Sequence, residues 1–356
     1  MDGATIDIVI FAPLAPILGV LLFWFIQLLF IESQKVLLEK IRPKHEAFCR
    51  FTNFLGIFFQ TICHALGYTV TKSGISDFYI SVSYGKVAPK KEKKGIFEWI
   101  ANFFLLVGPF FIPALLLLLY LFLLGIQGFD TATPTYLADL KYTFGGQITA
   151  FGTNLYRFSK GFFTFLTNID LLHPGHLGFL IIMIFLGLGI RPSHVGEQKI
   201  DKIDMIYDLR NIWNLITQKK RYIFILILSC YIFSYISFLL DSNWYVILFS
   251  IFGWLSIISI ISLIITHLLL LLIKTTDKIE GKKKYLPYIF LPFSYILMRL
   301  LFVYIKTKYD LSISLLVMIL LTVLITFCIK EGKTNKFKSK HSIKLFKRKN
   351  EEKENE

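Results

Sequence analysis

The sequence predicts an all-α polytopic integral membrane protein with seven or eight transmembrane helices and a short β-strand or hairpin near residues 75–89. Three observations predict it. Hydrophobic residues make up 55% of the 356 residues and charged residues only 18%, and the mean hydropathy of +0.61 is too high for an ordinary soluble surface. The apolar residues fall into runs of the roughly 20 residues that a helix needs to cross hydrocarbon, where every backbone polar group must be satisfied internally. The basic residues behind the net charge of +15 sit between those runs and in the tail, the pattern of positive-inside bias and not of a nucleic-acid partner.

Seven runs meet the length standard: Ile8–Ile31, Trp99–Gln127, Leu171–Ile190, Tyr222–Leu240, Trp244–Ile273, Leu286–Ile305 and Leu311–Ile329. An eighth, Phe51–Val70, has no charge but carries Thr52, Asn53, Gln60, Thr61 and His64, so it is either enclosed by other helices or re-entrant. The first run follows Asp2 and Asp7 and exceeds a signal-peptide core, as a retained anchor helix would. The organisation expected is a membrane core over 1–190, a cytoplasmic amphipathic segment over 191–221, four transmembrane helices over 222–329 and a disordered polybasic tail over 330–356.

Basic connectors at 71–95, 191–221 and 274–285 and the tail from Lys330 place those segments and the C-terminus on the cytoplasmic side of a cell membrane, with 128–170 outside. Residues 32–50, with Lys35, Lys40, Arg42, Lys44 and Arg50, conflict with this order if Phe51–Val70 crosses. The tail is expected to touch anionic lipids. Phe78, Ile80, Val82 and Tyr84 alternate with Tyr79, Ser81 and Ser83, then Gly85 and Pro89 follow; this predicts a strand, one arm of a hairpin. Leu140, Phe144, Ile148, Phe151, Leu155, Phe158 and Phe162 predict a helix lying in the interface. The cysteines, Cys49, Cys63, Cys230 and Cys328, are widely spaced, so no disulfide framework or CxxC zinc knuckle is expected. Gly187-Leu188-Gly189 is a lone GxG, not a nucleotide loop.

The chemistry-bearing candidates begin with Thr61-Ile62-Cys63-His64-Ala65-Leu66-Gly67-Tyr68, followed by the strand, a run broken by Gly108-Pro109 and Pro113, and later Arg191-Pro192-Ser193. This order resembles the site-2 protease family of intramembrane zinc metalloproteases over about residues 50–200. In that family a His-Glu-x-x-His helix precedes a membrane-associated hairpin, a proline-containing helix and a loop with an aspartate ligand. The resemblance implies that His64 stands at the first zinc histidine. Ala65 stands where the general-base glutamate belongs, Tyr68 at the second histidine and Gly196 at the aspartate, with Glu197 beside it. A hydrolytic zinc needs about three protein ligands, an open position for water and a base. No cofactor is therefore expected. The residual zinc set is His64, His194 and Glu197, which the expected topology brings to one face, with Tyr68, Asn102, Pro109 and Ser193 as further site candidates.

His173 and His176 are read as a polar turn starting a helix; the 18 residues from His176 to His194 span about 27 Å of helix. Arg299 and His267, each seven residues from a lysine, are expected to snorkel. Three functions follow: a degenerate, non-proteolytic site-2-protease-like protein binding a membrane-protein partner; a transporter or channel with a pathway along 51–70; and a divergent intramembrane metalloprotease.

Overall fold

The computed structural model describes residues 3–82, 84–124, 142–190, 210, 213–214, 216–217, 219–279, 281–305 and 309–330. Its contacts divide the chain into two units, Met1–Phe165 with Leu171–Leu270, and Leu166–Asp170 with Leu271–Glu356.

In the first unit, helix α1 (Ala12–Ile41) follows a helical turn at Gly3–Ile6 and a π-helical turn at Asp7–Phe11. Pro13 offers no N–H to the carbonyl of Val9, and the Tyr235 hydroxyl donates to that oxygen instead. Tyr231 donates to the carbonyl of Ile10 at 2.8 Å, and Tyr245 to that of Pro13. Tyrosines of two later helices thus cap a proline-rich helix start in a medium without water.

The sequence places a basic loop over 32–50, but α1 continues to Ile41 and α2 covers Glu46–Val70, which leaves only 42–45 as connector. The extension holds because Ile31, Gln34, Leu38 and Ile41 keep a helical face buried. Lys35 lies 2.9 Å from Glu32 one turn back, so its charge is neutralised inside the helix. Arg50 is likewise part of α2, 3.5 Å from Glu46.

A two-stranded antiparallel hairpin follows, β1 (Ile75–Ile80) and β2 (Gly85–Pro89), with Phe78 opposite Val87 and Ile80 opposite Gly85. The alternation predicts one strand across 78–84; the chain turns there. Ser81 explains it: its hydroxyl accepts from the N–H of Tyr84 at 3.0 Å, and its own N–H donates to the Tyr84 carbonyl at 2.9 Å.

Helices α3 (Ile96–Leu123), α4 (Phe144–Thr167), α5 (Pro174–Gly189), α6 (Lys220–Leu239) and α7 (Trp244–Thr276) complete the unit, the last residues of α4 and α7 belonging to the second. Of the apolar stripe of α4, Phe151, Leu155, Phe158 and Phe162 are buried and Ile148 is exposed, while Leu140 lies outside the described residues. Phe151 lies against both Gly19 of α1 and Gly253 of α7, and Phe158 stacks on Trp254 with ring centroids 5.1 Å apart. At the start of α5 the His173 ring accepts the His176 N–H at 3.4 Å, the capping turn expected from the sequence.

The second unit contains a 3₁₀ turn (Gly281–Tyr285), α8 (Leu286–Ile305) and α9 (Asp310–Lys330). Arg299 on α8 is held by two carboxylates. Its guanidinium reaches Asp170 at 3.5 Å and Asp310, and Tyr295 donates to the second oxygen of Asp170 at 3.1 Å. The two carboxylates compensate its charge.

Among the described residues six helical stretches are long and apolar enough to cross a membrane: Asp7–Ile41, Ile96–Leu123, Lys220–Leu239, Trp244–Thr276, Gly281–Phe302 and Asp310–Lys330. Of the remaining expected spans, α5 has 16 residues, about 24 Å against a hydrocarbon layer of about 30 Å. The other, α2, is long enough but buries Thr52, Asn53 and Thr61. Leu22, Phe25 and Leu29 on α1 and Phe224, Leu226 and Leu228 on α6 stand exposed, an apolar surface suited to lipid. The chain is a multi-pass, all-α membrane protein with one small hairpin.

Candidate functional site

The site is built where α2 and α3 cross. Small residues set the approach. Gly67 meets the backbone of Ala101, with its added Cβ 2.9 Å from the Cβ of Phe104, and a Cβ on Gly108 would lie 2.9 Å from that of Cys63. His64 and Pro109 directly follow Cys63 and Gly108, so the crossing brings them to the same level. Pro109 and Pro113 withhold N–H groups from the carbonyls of Leu105 and Pro109, loosening α3 there. Asn102 is only partly buried and follows Ala101 at the Gly67 contact.

The hairpin folds back along α2. At its base, Lys90 and Lys91 donate backbone N–H groups to the carbonyls of Gly74 and Ser73 at 3.1 and 3.0 Å, and the Lys93 ammonium donates to the Thr71 carbonyl at 2.6 Å. At its tip, Gly85 lies so close to Thr61 and Ile57 that a Cβ would fall onto the Thr61 hydroxyl. Thr61 is nine residues before Val70, the end of α2, or about 14 Å along its axis. The tip therefore reaches about one turn past His64. Across the hairpin Lys86 lies 2.7 Å from Asp77, whose hydrogen bond and charge hold the lysine above its ordinary value. Phe78, Tyr79, Val82 and Tyr84 are exposed.

His64 packs on Tyr68, with ring centroids 4.4 Å apart, and its Nε2 is buried with no hydrogen-bond partner among the described residues. Helix α5 runs in the same direction as α2: Phe185 contacts Phe51, with centroids 5.5 Å apart, and Gly189 rests on Leu55 and Phe59. Ser193, His194 and Glu197 lie outside the described residues, as do the amphipathic pattern over 197–209 and the basic tail. Among the described residues no three His, Cys, Asp or Glu side chains converge on a point that could hold a metal ion. At this crossing His64 offers one free nitrogen, and His267 Nδ1 on α7 is likewise buried without a partner among the described residues.

The sequence reading passed over a second group of polar residues. Gln27, Glu32, Gln34 and Lys35 are buried on α1, and Ser256, Ser259, Ser262 and Thr266 on α7. Their signal is the spacing inside or beside the most apolar runs, three or four residues apart on α7 and seven between Gln27 and Gln34 on α1.

This geometry defines a class, a multi-pass membrane protein with a hairpin laid along a histidine-bearing helix. Compared with protein families, curated proteins and solved structures, the chain matches none.

Proposed function

We propose that the protein is a degenerate, non-proteolytic relative in layout of the site-2 proteases, which binds an extended segment of a membrane-protein partner at the hairpin edge beside His64. The observation that carries this reading is the hairpin tip seated against Thr61 and Ile57, one turn from His64. A two-stranded sheet leaves the outer edge of each strand without a strand neighbour, and an extended segment can add there through backbone hydrogen bonds. The exposed Phe78, Tyr79 and Tyr84 supply the apolar contacts that such a segment would cover. Ala65 in the general-base position and Tyr68 in that of a ligand argue for holding a partner rather than cleaving it. The protein resides in the cell membrane with its C-terminus in the cytoplasm, where the basic tail meets anionic lipid.

Photo-crosslinking in native membranes tests the reading. A benzophenone amino acid replacing Tyr79 should give a discrete adduct with an intact membrane protein, and Phe78→Pro, which breaks the ladder, should abolish it. The same probe replacing the lipid-exposed Leu239 should give none. Adducts of equal pattern from both positions, or a partner recovered cut within its membrane segment, would refute the proposal.

A further inference from the structure

The core of the first unit contains polar atoms that no later feature of the fold accounts for. Gln27 is 0% exposed and neither its amide nitrogen nor its oxygen has a hydrogen-bond partner among the described residues. The same holds for the Ser256 hydroxyl, the Trp24 ring N–H and the side-chain oxygen of Gln34. Gln34 is otherwise well anchored, its nitrogen donating to the Gly187 carbonyl at 3.0 Å and to the Thr266 hydroxyl at 3.1 Å.

These atoms share one seam. Helices α1 and α7 run parallel and in step: Tyr245 to Pro13 and Thr266 to Gln34 are both separated by 232 residues. That register sets Ser256 level with Trp24 and Ser259 level with Gln27. Helix α3 closes the seam at the same height, since Phe110 meets the Trp24 ring at 5.7 Å and its carbonyl accepts the Ser259 hydroxyl at 3.0 Å. Trp24, Gln27 and Gln34 fall on one face of α1 by their spacing of three and seven. On α7, Ser250 and Ser262 turn their hydroxyls back to the carbonyls of Val246 and Ile258, as a serine in an apolar helix ordinarily does. Ser256 does not, although it is fully buried.

We propose that this seam is a binding site for water held inside the bundle between α1, α3 and α7. The chemistry selects the ligand. Trp24 offers only a donor, Gln34 only an acceptor, and Gln27 and Ser256 both. A molecule that donates and accepts at once satisfies all of them, whereas a cation is opposed by the N–H groups and an anion by the oxygens. Buried polar groups that the chain does not pair are the usual partners of internal water. The site stands independently of the hairpin reading.

Radiolytic footprinting of the protein in lipid nanodiscs, with hydroxyl radicals generated in ¹⁸O-labelled water, tests it. Bound water puts the label on the side chain beside it. Trp24 should be oxidised several-fold faster than Trp254, which is 7% exposed and whose N–H is held by the Asn154 carbonyl at 3.3 Å. Gln27→Leu and Ser256→Ala should each cut Trp24 labelling several-fold, with Trp254 still protected as the sign of an intact fold. Trp24 as protected as Trp254, or labelled in both variants as fast as in the native protein, would overturn the proposal.

Discussion

Substituting Gly187 probes the tightest crossing in the first unit. A Cβ there would fall onto the Ser262 carbonyl and lie 2.8 Å from the Thr266 methyl, while the Gly187 carbonyl accepts from Gln34 at 3.0 Å. Gly187→Ala must therefore push α5 off α7 and stretch the hydrogen bond that ties α5 to α1. Overpacking of this kind costs about 1–3 kcal/mol, and each interhelical hydrogen bond in a bilayer adds about 0.6 kcal/mol. The sum is a destabilisation of roughly 2–4 kcal/mol. Helix propensity works the other way, since alanine gains up to about 1 kcal/mol over glycine. Gly152→Ala, with nothing within 4 Å of the added carbon, isolates that gain and should be neutral or stabilising. Unfolding by a denaturing detergent added to mixed micelles reads both variants. Gly187→Ala as stable as the native protein would refute the close crossing of α5 and α7.

Three further outcomes follow from the same contacts. Gln34→Leu removes hydrogen bonds to Gly187 and Thr266 and should cost about 1 kcal/mol in that assay, less than Gly187→Ala, because leucine fills the space. Arg299→Met leaves Asp170 and Asp310 facing one another; the sites are about a quarter exposed, so roughly 1–3 kcal/mol is expected in place of the fully buried cost, recovered in part by Asp310→Asn in the same chain. Lys86 is held above its ordinary value by Asp77, so its contribution to the hairpin is fully present at neutral pH and fades only as pH rises past the lysine range; an amine-acylating reagent at about pH 10 should modify Lys86 more slowly than Lys91, and Asp77→Asn should remove the difference.

Run length and charge made the membrane architecture legible, because a bilayer rewards unbroken apolar stretches whatever their neighbours. The hairpin was legible from Phe78 to Tyr84, yet its turn was not: Ser81 looks like an outward strand residue until its hydroxyl is seen closing the turn. The Gln27 to Lys35 stretch was misread for a related reason. Charge in a window counts against a span, whereas Glu32 and Lys35, one turn apart, cancel within the helix. Arg299 could not be settled from spacing to Lys306, since its partner Asp170 lies 129 residues away. At the candidate site, the four-residue spacing of His64 and Tyr68 on a helix accounts for their ring contact. The fold-back of the hairpin rests on Gly85 fitting between Thr61 and Ile57, a tertiary contact with no local pattern.

The placement of the hairpin tip beside the His64 turn is best tested by disulfide trapping in membranes, using Thr61→Cys with Gly85→Cys after replacing the native cysteines. A carbon added at Gly85 lies 3.3 Å from the Thr61 Cβ, close to the roughly 3.5–4.5 Å of a disulfide. The account predicts that this pair cross-links under mild oxidation as readily as Phe78→Cys with Val87→Cys across the hairpin. Trapping of the strand pair without the Thr61–Gly85 pair would contradict it.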